Sequence, residues 1–153
     1  MTAAQAAPDA LAEALLQAPY WIADVLPAQV PADAPGQYFA VEEYYRAEAR
    51  MRPLRRKQAE ILLRLNCYAD MCVTFDGGEH WERNPDPAAF EARAEALHGH
   101  EFLRAVFPAE GLMVDVEPDE TWMTLYTRAA APPDLMRALC AAEGLFLWQP
   151  PTP

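Results

Sequence analysis

The 153-residue chain contains no serine, so no mechanism with a serine nucleophile can operate within it. It has one lysine against eleven arginines, only six glycines and only three histidines. Adjacent glycines occur once, at Gly77-Gly78, in a stretch that reads as a hairpin turn with no helix behind it, which excludes a phosphate loop or dinucleotide fingerprint. No segment approaches the ~18 apolar residues of a membrane-spanning helix. The first 19 residues carry no Lys or Arg and no sustained apolar run, unlike a secretory leader. Cysteine is scarce and odd in number: Cys67, Cys72 and Cys140, with no CxxC, read as free thiols in a reducing cytoplasm rather than a disulfide framework.

What is present is ordinary for a globular domain. Hydrophobic residues make up 52% and charged residues 23%, far from the profile of disorder. There are 30 alanines and 15 prolines. The length suits one domain with a single core. We expect a frayed N-terminus over residues 1–8, one domain over 9–149 and a Pro-rich tail over 150–153.

The net charge is -11, which repels phosphate backbones and anionic lipid surfaces, so neither nucleic acid nor membrane is expected as a partner. That charge is unevenly spread. Residues 46–64 hold Arg46, Arg50, Arg52, Arg55, Arg56, Lys57 and Arg64 against Glu48 and Glu60, a local +5, leaving -16 on the remainder. Two readings apply to this segment. It is either a solvated helix face paired with acids of the same domain, where each exposed pair is worth only ~0 to 1 kcal/mol, or a contact for an anion or acidic protein. Tyr38, Phe39, Tyr44 and Tyr45 crowd just ahead of it, and a Tyr-plus-Arg surface is the composition enriched at protein interfaces.

Along the chain, Asp9 to Ala18 reads as a short helix ending before Pro19, and Tyr20 to Leu26 as a buried strand. Prolines at 27, 31 and 35 with Gly36 make residues 27–37 a long loop. Residues 37–45 alternate weakly and fit either a strand or a helix start, with a strand favoured at their beginning. Pro53 is placed to open a helix to about Cys67, with Leu54, Ile61, Leu62 and Leu65 on its inner face. Met71 to Phe75 and a return through Trp81 predict a hairpin. Asp86 and Pro87 open the next helix, and Gly99 is placed to stop it. Phe102 to Phe107 predicts a strand, Leu112 to Val116 with Trp122 to Tyr126 a hairpin, Pro133 to Gly144 a last helix, and Leu145 to Trp148 a final strand. The sum is a single α+β domain, a mostly antiparallel sheet of hairpins with three to four helices packed on it.

Thr74-Phe75-Asp76-Gly77-Gly78-Glu79-His80-Trp81 resembles the Asp-box, the structural hairpin motif repeated in sialidase-type propellers. Thr74, Asp76, Gly78 and Trp81 fit it, and His80 stands where a hydroxyl residue is usual. The resemblance implies a hairpin in which the Asp side chain organises the turn and the aromatic packs beneath; a single copy implies neither a propeller nor glycosidase activity.

The remaining chemistry is sparse. His98-Gly99-His100-Glu101, with His80 elsewhere, has ligand-type residues but no tight metal pattern, and no metal or cofactor is expected. Cys67 ends a helix, where a thiolate is disfavoured, while Cys72 and Cys140 sit in apolar patterns. Asp115 and Glu117 share one face of a strand, expected to be the solvent face. No catalytic residue is assigned. The first expectation is a non-catalytic cytoplasmic interaction protein, of inhibitor, immunity or adaptor type, meeting another protein through Arg46, Arg50, Arg52, Arg55, Arg56, Lys57, Tyr44 and Tyr45. The alternative is a small enzyme or anionic-ligand-binding domain with a pocket near the 27–37 loop, Arg residues on the anion and Glu42 or Glu43 as base. Association of identical copies through the hairpins is a third possibility.

Overall fold

The computed structural model of the chain describes residues 3–151, with side chains described from residue 7. Five helices, α1 (Ala3–Leu15), α2 (Tyr38–Tyr45), α3 (Glu48–Asn66), α4 (Pro87–Glu95) and α5 (Asp134–Ala142), accompany seven strands. The strands are β1 (Tyr20–Asp24), β2 (Cys72–Thr74), β3 (Glu82–Arg83), β4 (Leu103–Phe107), β5 (Leu112–Val116), β6 (Met123–Thr127) and β7 (Phe146–Trp148). They form one sheet in the order β3-β2-β4-β5-β6-β1-β7, and every pairing is antiparallel. The fold is therefore α+β on a single sheet. No helix among the described residues is long and apolar enough to cross a membrane.

Strand alternation divides the sheet into two unequal faces. On one, Leu103, Ala105, Leu112, Val114, Val116, Met123 and Leu125 meet Ile61, Leu62 and Leu65 of α3, Phe90 and Ala94 of α4, and Met136 and Cys140 of α5 in the main core. On the other face, α1 brings Ala12 and Leu15 onto Val106, Met113 and Trp81. The middle strand β5 is consequently buried along its whole length. The edge strands β3 and β7 are only two and three residues long, which limits the unpaired backbone offered to another chain.

A buried cation ties the layers together. Arg55, 5% exposed, donates from Nη1 to the Glu95 carbonyl at the end of α4 (3.0 Å) and from Nη2 to the Pro118 carbonyl in the β5–β6 turn (2.8 Å). Glu48 supplies a carboxylate 3.4 Å from Nη1. A guanidinium suits this place because its fixed fork reaches two carbonyls at once, and positive charge is favoured at a helix C-terminus.

Four local expectations are corrected. Residues 38–45 form α2 rather than the start of a strand; β1, the strand that precedes them, is already paired on both sides by β6 and β7. Helix α3 begins at Glu48, five residues before Pro53, its first turns held by the Arg52–Glu48 pair at 3.1 Å. Helix α1 starts at Ala3 and runs through Pro8, earlier than Asp9. The return strand of the first hairpin begins after Trp81, at Glu82. The β5–β6 hairpin, the Asp86 cap whose carboxylate accepts the Ala89 N–H (3.0 Å), the Gly144 stop with φ +77 and the final strand follow the pattern read from sequence.

Residues 74–81 form the Asp-box-like turn. The Gly78 N–H donates to Thr74 Oγ1 (3.0 Å), Thr74 Oγ1 donates to Asp76 Oδ1 (2.8 Å), and the His80 N–H donates to the same Asp76 oxygen (3.0 Å). His80 replaces the usual hydroxyl with its ring, whose Nδ1 lies 2.6 Å from Asp76 Oδ2. Partial burial works against the charged form of Asp76, but the His80 ring and N–H with the Thr74 hydroxyl outweigh it and bring the carboxyl down to about 2. Trp81 packs beneath and donates its indole N–H to Asp9 of α1 (2.8 Å). Gly78 has φ +96, and a Cβ there would run into the Asp9 carboxylate, whereas Gly77, φ +74, has open space around it. Gly77→Ala is therefore expected to cost only the positive-φ penalty of about 1 to 2 kcal/mol, and Gly78→Ala to cost more because it also separates α1 from the turn. Urea unfolding of both variants checks the order; equal losses would remove the role given to Asp9.

Candidate ligand-binding site

Helix α1 covers only part of the second face. Cross-strand register sets two rows there. Tyr20 on β1 stands beside Tyr126 on β6, which stands beside Met113 on β5. In the next row Ile22 lies between Thr124 of β6 and Trp148 of β7, with Asp115 of β5 and Arg104 of β4 continuing it. The α1 side chains pack over Met113 and Val106. Beyond them the β6-β1-β7 portion is roofed only by the segment after β1, leaving a cavity of about 450 Å³. Its walls are Tyr20, Tyr38, Trp122, Tyr126 and Trp148, with Ile22 and Thr124 on the sheet and Leu26, Ala28, Gln29 and Val30 from the loop. Pro150 closes one side.

Asp24 also lines the cavity and is 8% exposed. Its Oδ1 accepts the Val25 N–H at 2.7 Å. Burial raises its pKa, opposed by the Val25 and Leu26 N–H groups and reinforced by Glu42 nearby. Tyr38 enters from α2 and donates its hydroxyl to Glu42 Oε2 at 2.6 Å; that bond, with burial and the neighbouring carboxylates, pushes the phenol up to about 12. Trp148 donates its indole N–H to the Leu26 carbonyl (3.0 Å), pinning the loop to the last strand. Tyr20 and Tyr126 rings face each other at 6.2 Å, tilted 48°. Among the described residues lining the cavity there is no Lys, Arg, His or Cys.

The rim is acidic. Asp115, expected on the solvent face, is 8% exposed, because Arg104 covers it with two hydrogen bonds of 2.8 and 2.9 Å. That pair cancels in charge. Burial, with Asp115 and Asp119, raises Glu117, and burial, with Glu117, Asp119 and Asp115, raises Glu120 to about 7. Tyr126 is raised by burial and by Asp115.

The cationic segment is placed elsewhere. Arg46 pairs with Glu42 and Asp119, Arg52 with Glu48, Arg56 with Glu91 and Glu95, and Arg64 with Glu60 and Glu143. Arg55 is withdrawn into the interior, Arg50 stacks 3.8 Å over the Tyr44 ring, and Lys57 is exposed. Tyr44 and Tyr45 form an edge-to-face pair at 5.7 Å. The segment is thus largely balanced by acids of its own domain. Glu42 sits beside Asp24, and Glu43 lies on the outer surface of α2.

The histidines do not gather. His98 Nδ1 lies 2.8 Å from the Ala96 carbonyl, and His80 is held by Asp76. Asp76, Glu79 and His80 are the one group found among the described residues whose ligand-type atoms lie within 4.8 Å of one another; all three are exposed and belong to the hairpin turn. Cys67 is exposed, Cys72 half-buried and Cys140 buried, its thiol pushed up to about 12 by burial.

Sequence reading did not single out Tyr20, Asp24, Trp122, Tyr126 or Trp148. Two signals pointed to them: a carboxylate within an apolar strand at Asp24, and a pair of aromatics four residues apart, Trp122 just before β6 and Tyr126 within it, which strand periodicity places on one face. No protein-family model, curated protein or solved structure matches the chain.

A pH dependence follows from Glu120. Its folded-state pKa, about 7, exceeds the ordinary 4.5, so the folded chain holds this proton to higher pH than the unfolded chain does. Stability is therefore lost as pH rises from about 4.5 to about 7. Glu120→Gln is expected to flatten the fall in Tm across that window, the residual slope belonging to Asp24 and Glu117, which are raised in the same sense. An unchanged slope in the variant would contradict the burial of Glu120.

Proposed function

We propose that this chain is a small-molecule-binding domain whose ligand occupies the cavity between the β6-β1-β7 face and the loop following β1. One observation carries the reading: a concave, aromatic-walled space of about 450 Å³ next to the Pro-rich loop, with a buried carboxylate among its lining. Cavities of ~300 to 1,000 Å³ with apolar walls and a few convergent polar groups are the usual form of small-molecule sites. Four of the five aromatic walls stand on or immediately beside hydrogen-bonded strands, which holds their spacing before any ligand arrives. No Cys, Lys or His lines the cavity among the described residues, so no base or thiol stands beside the Thr124 hydroxyl, and binding rather than covalent catalysis is the activity proposed.

The interaction reading keeps one favourable observation. Helix α2 buries none of its residues; Phe39 is 81% exposed, and at the other end of the helix Arg50 stacks over Tyr44. In that reading α2 is a contact for another protein or a second copy, and Phe39→Asp abolishes association in light scattering while leaving the cavity intact.

The ligand reading is tested with the indole N–H signals of the four tryptophans in a two-dimensional NMR screen of small polar and aromatic compounds. Binding in the cavity moves the Trp122 and Trp148 signals and leaves Trp81, beneath α1, in place. Tyr126→Ala is expected to weaken any hit about ten-fold or more. Hits that move Trp81 instead, or no hits at all, would refute the site.

A further inference from the structure

We infer that the ligand of this cavity is a small organic cation, an amine or quaternary ammonium group on a short organic body. The inference rests on the ligand-binding reading above and adds the chemical class.

Charge is the first argument. The one ionisable acid lining the space is Asp24, buried among aromatic rings, and no cationic side chain lines it. A carboxylate in such surroundings is costly to ionise without a counter-charge. A bound cation provides one. The cations nearest the walls are already paired. Arg104, the nearest cation along the Ile22 row, is consumed by the bidentate Asp115 pair, and Arg46, which acts on Tyr38, is paired with Glu42 and Asp119. An anionic ligand would meet the Asp24 carboxylate with no cationic side chain in the lining to offset it.

The second argument is what the aromatic walls have left to offer. The Trp148 N–H is committed to the Leu26 carbonyl and the Tyr38 hydroxyl to Glu42. Those residues therefore contribute ring surface rather than free donors. Ring faces attract cations through their quadrupoles, about 0.5 to 2 kcal/mol each depending on desolvation. With Tyr20 and Tyr126 at 6.2 Å, the walls form an aromatic cage with a carboxylate in it. A sugar also stacks on such rings, but it needs several free hydrogen-bonding side chains to hold its hydroxyls. Besides the tyrosines and Asp24, the lining provides Gln29 and Thr124.

The test uses a charge-matched pair of equal shape. The full chain is titrated with choline, with its neutral isostere 3,3-dimethylbutanol and with cellobiose, following the Trp122 and Trp148 indole signals. Choline is expected to bind about ten-fold more tightly than the alcohol. Asp24→Asn, which keeps an oxygen for the Val25 N–H, removes that preference and leaves the alcohol unchanged. Tyr20→Leu, at a position 45% exposed and outside the core, weakens choline about three-fold. Equal affinity for choline and the alcohol, or a response to cellobiose with none to choline, would overturn the cation inference while leaving the cavity as a ligand site. Silence of both indoles toward all three probes would overturn the inference and the site together.

Discussion

A seven-stranded sheet has two faces to cover, and this chain has helix enough for one and a part of the other. Helices α3, α4 and α5 are spent on the first face, where the large apolar side chains of β4, β5 and β6 lie. The second face receives α1 across β4 and β5, and from α2 the Tyr38 side chain. What remains, over β6, β1 and β7, is carried by aromatic side chains and by a loop whose prolines and glycine suit neither helix nor central strand. Aromatic rings tolerate half-cover because they pair an apolar body with a polar tip. The cavity is the consequence of that shortfall, and its composition follows from which residues can stand there.

The charge division along the sequence has a related explanation. The positive excess of residues 46–64 belongs mainly to α3, and α3 is flanked by the acidic ends of other elements: Glu91 and Glu95 on α4, Glu143 after α5, Asp119 in the β5–β6 turn. Exposed pairs of this sort contribute little each. Arg55 differs, since its two carbonyl contacts hold the β5–β6 turn against α3 and so fix the approach to Trp122. With the cations spent on that side, Glu117 and Glu120 at the end of the β5–β6 hairpin keep no salt bridge among the described residues, and burial raises the pKa of both.

Much of the architecture was legible in the residues. Pro87 after Asp86, Gly144, and the Glu117-Pro118-Asp119-Glu120 turn each act through local backbone chemistry, which sequence displays directly. The Asp-box resemblance was likewise local, and His80 standing in for a hydroxyl is readable once the ring is seen on Asp76. The site was less legible, because its walls come from residues 20, 38, 122, 126 and 148, brought together only by β1 entering between β6 and β7. That strand order is a long-range property with no local signature. Helix α2 was misread for a similar reason: Phe39, Tyr44 and Tyr45 are exposed and Tyr38 only half-buried, so it has no buried face whose spacing declares a helix. Asp115 read as a solvent carboxylate because strand alternation does not reveal that Arg104 lies across the neighbouring strand.

The central claim is that the half-covered face holds a small molecule, and native mass spectrometry of the full chain purified gently from its own cells tests this most directly. The account predicts one chain carrying a single adduct of a size that about 450 Å³ admits, lost when Trp148 is replaced by Ala. A chain that emerges bare, or bound only to another polypeptide with Trp148→Ala without effect, would contradict it.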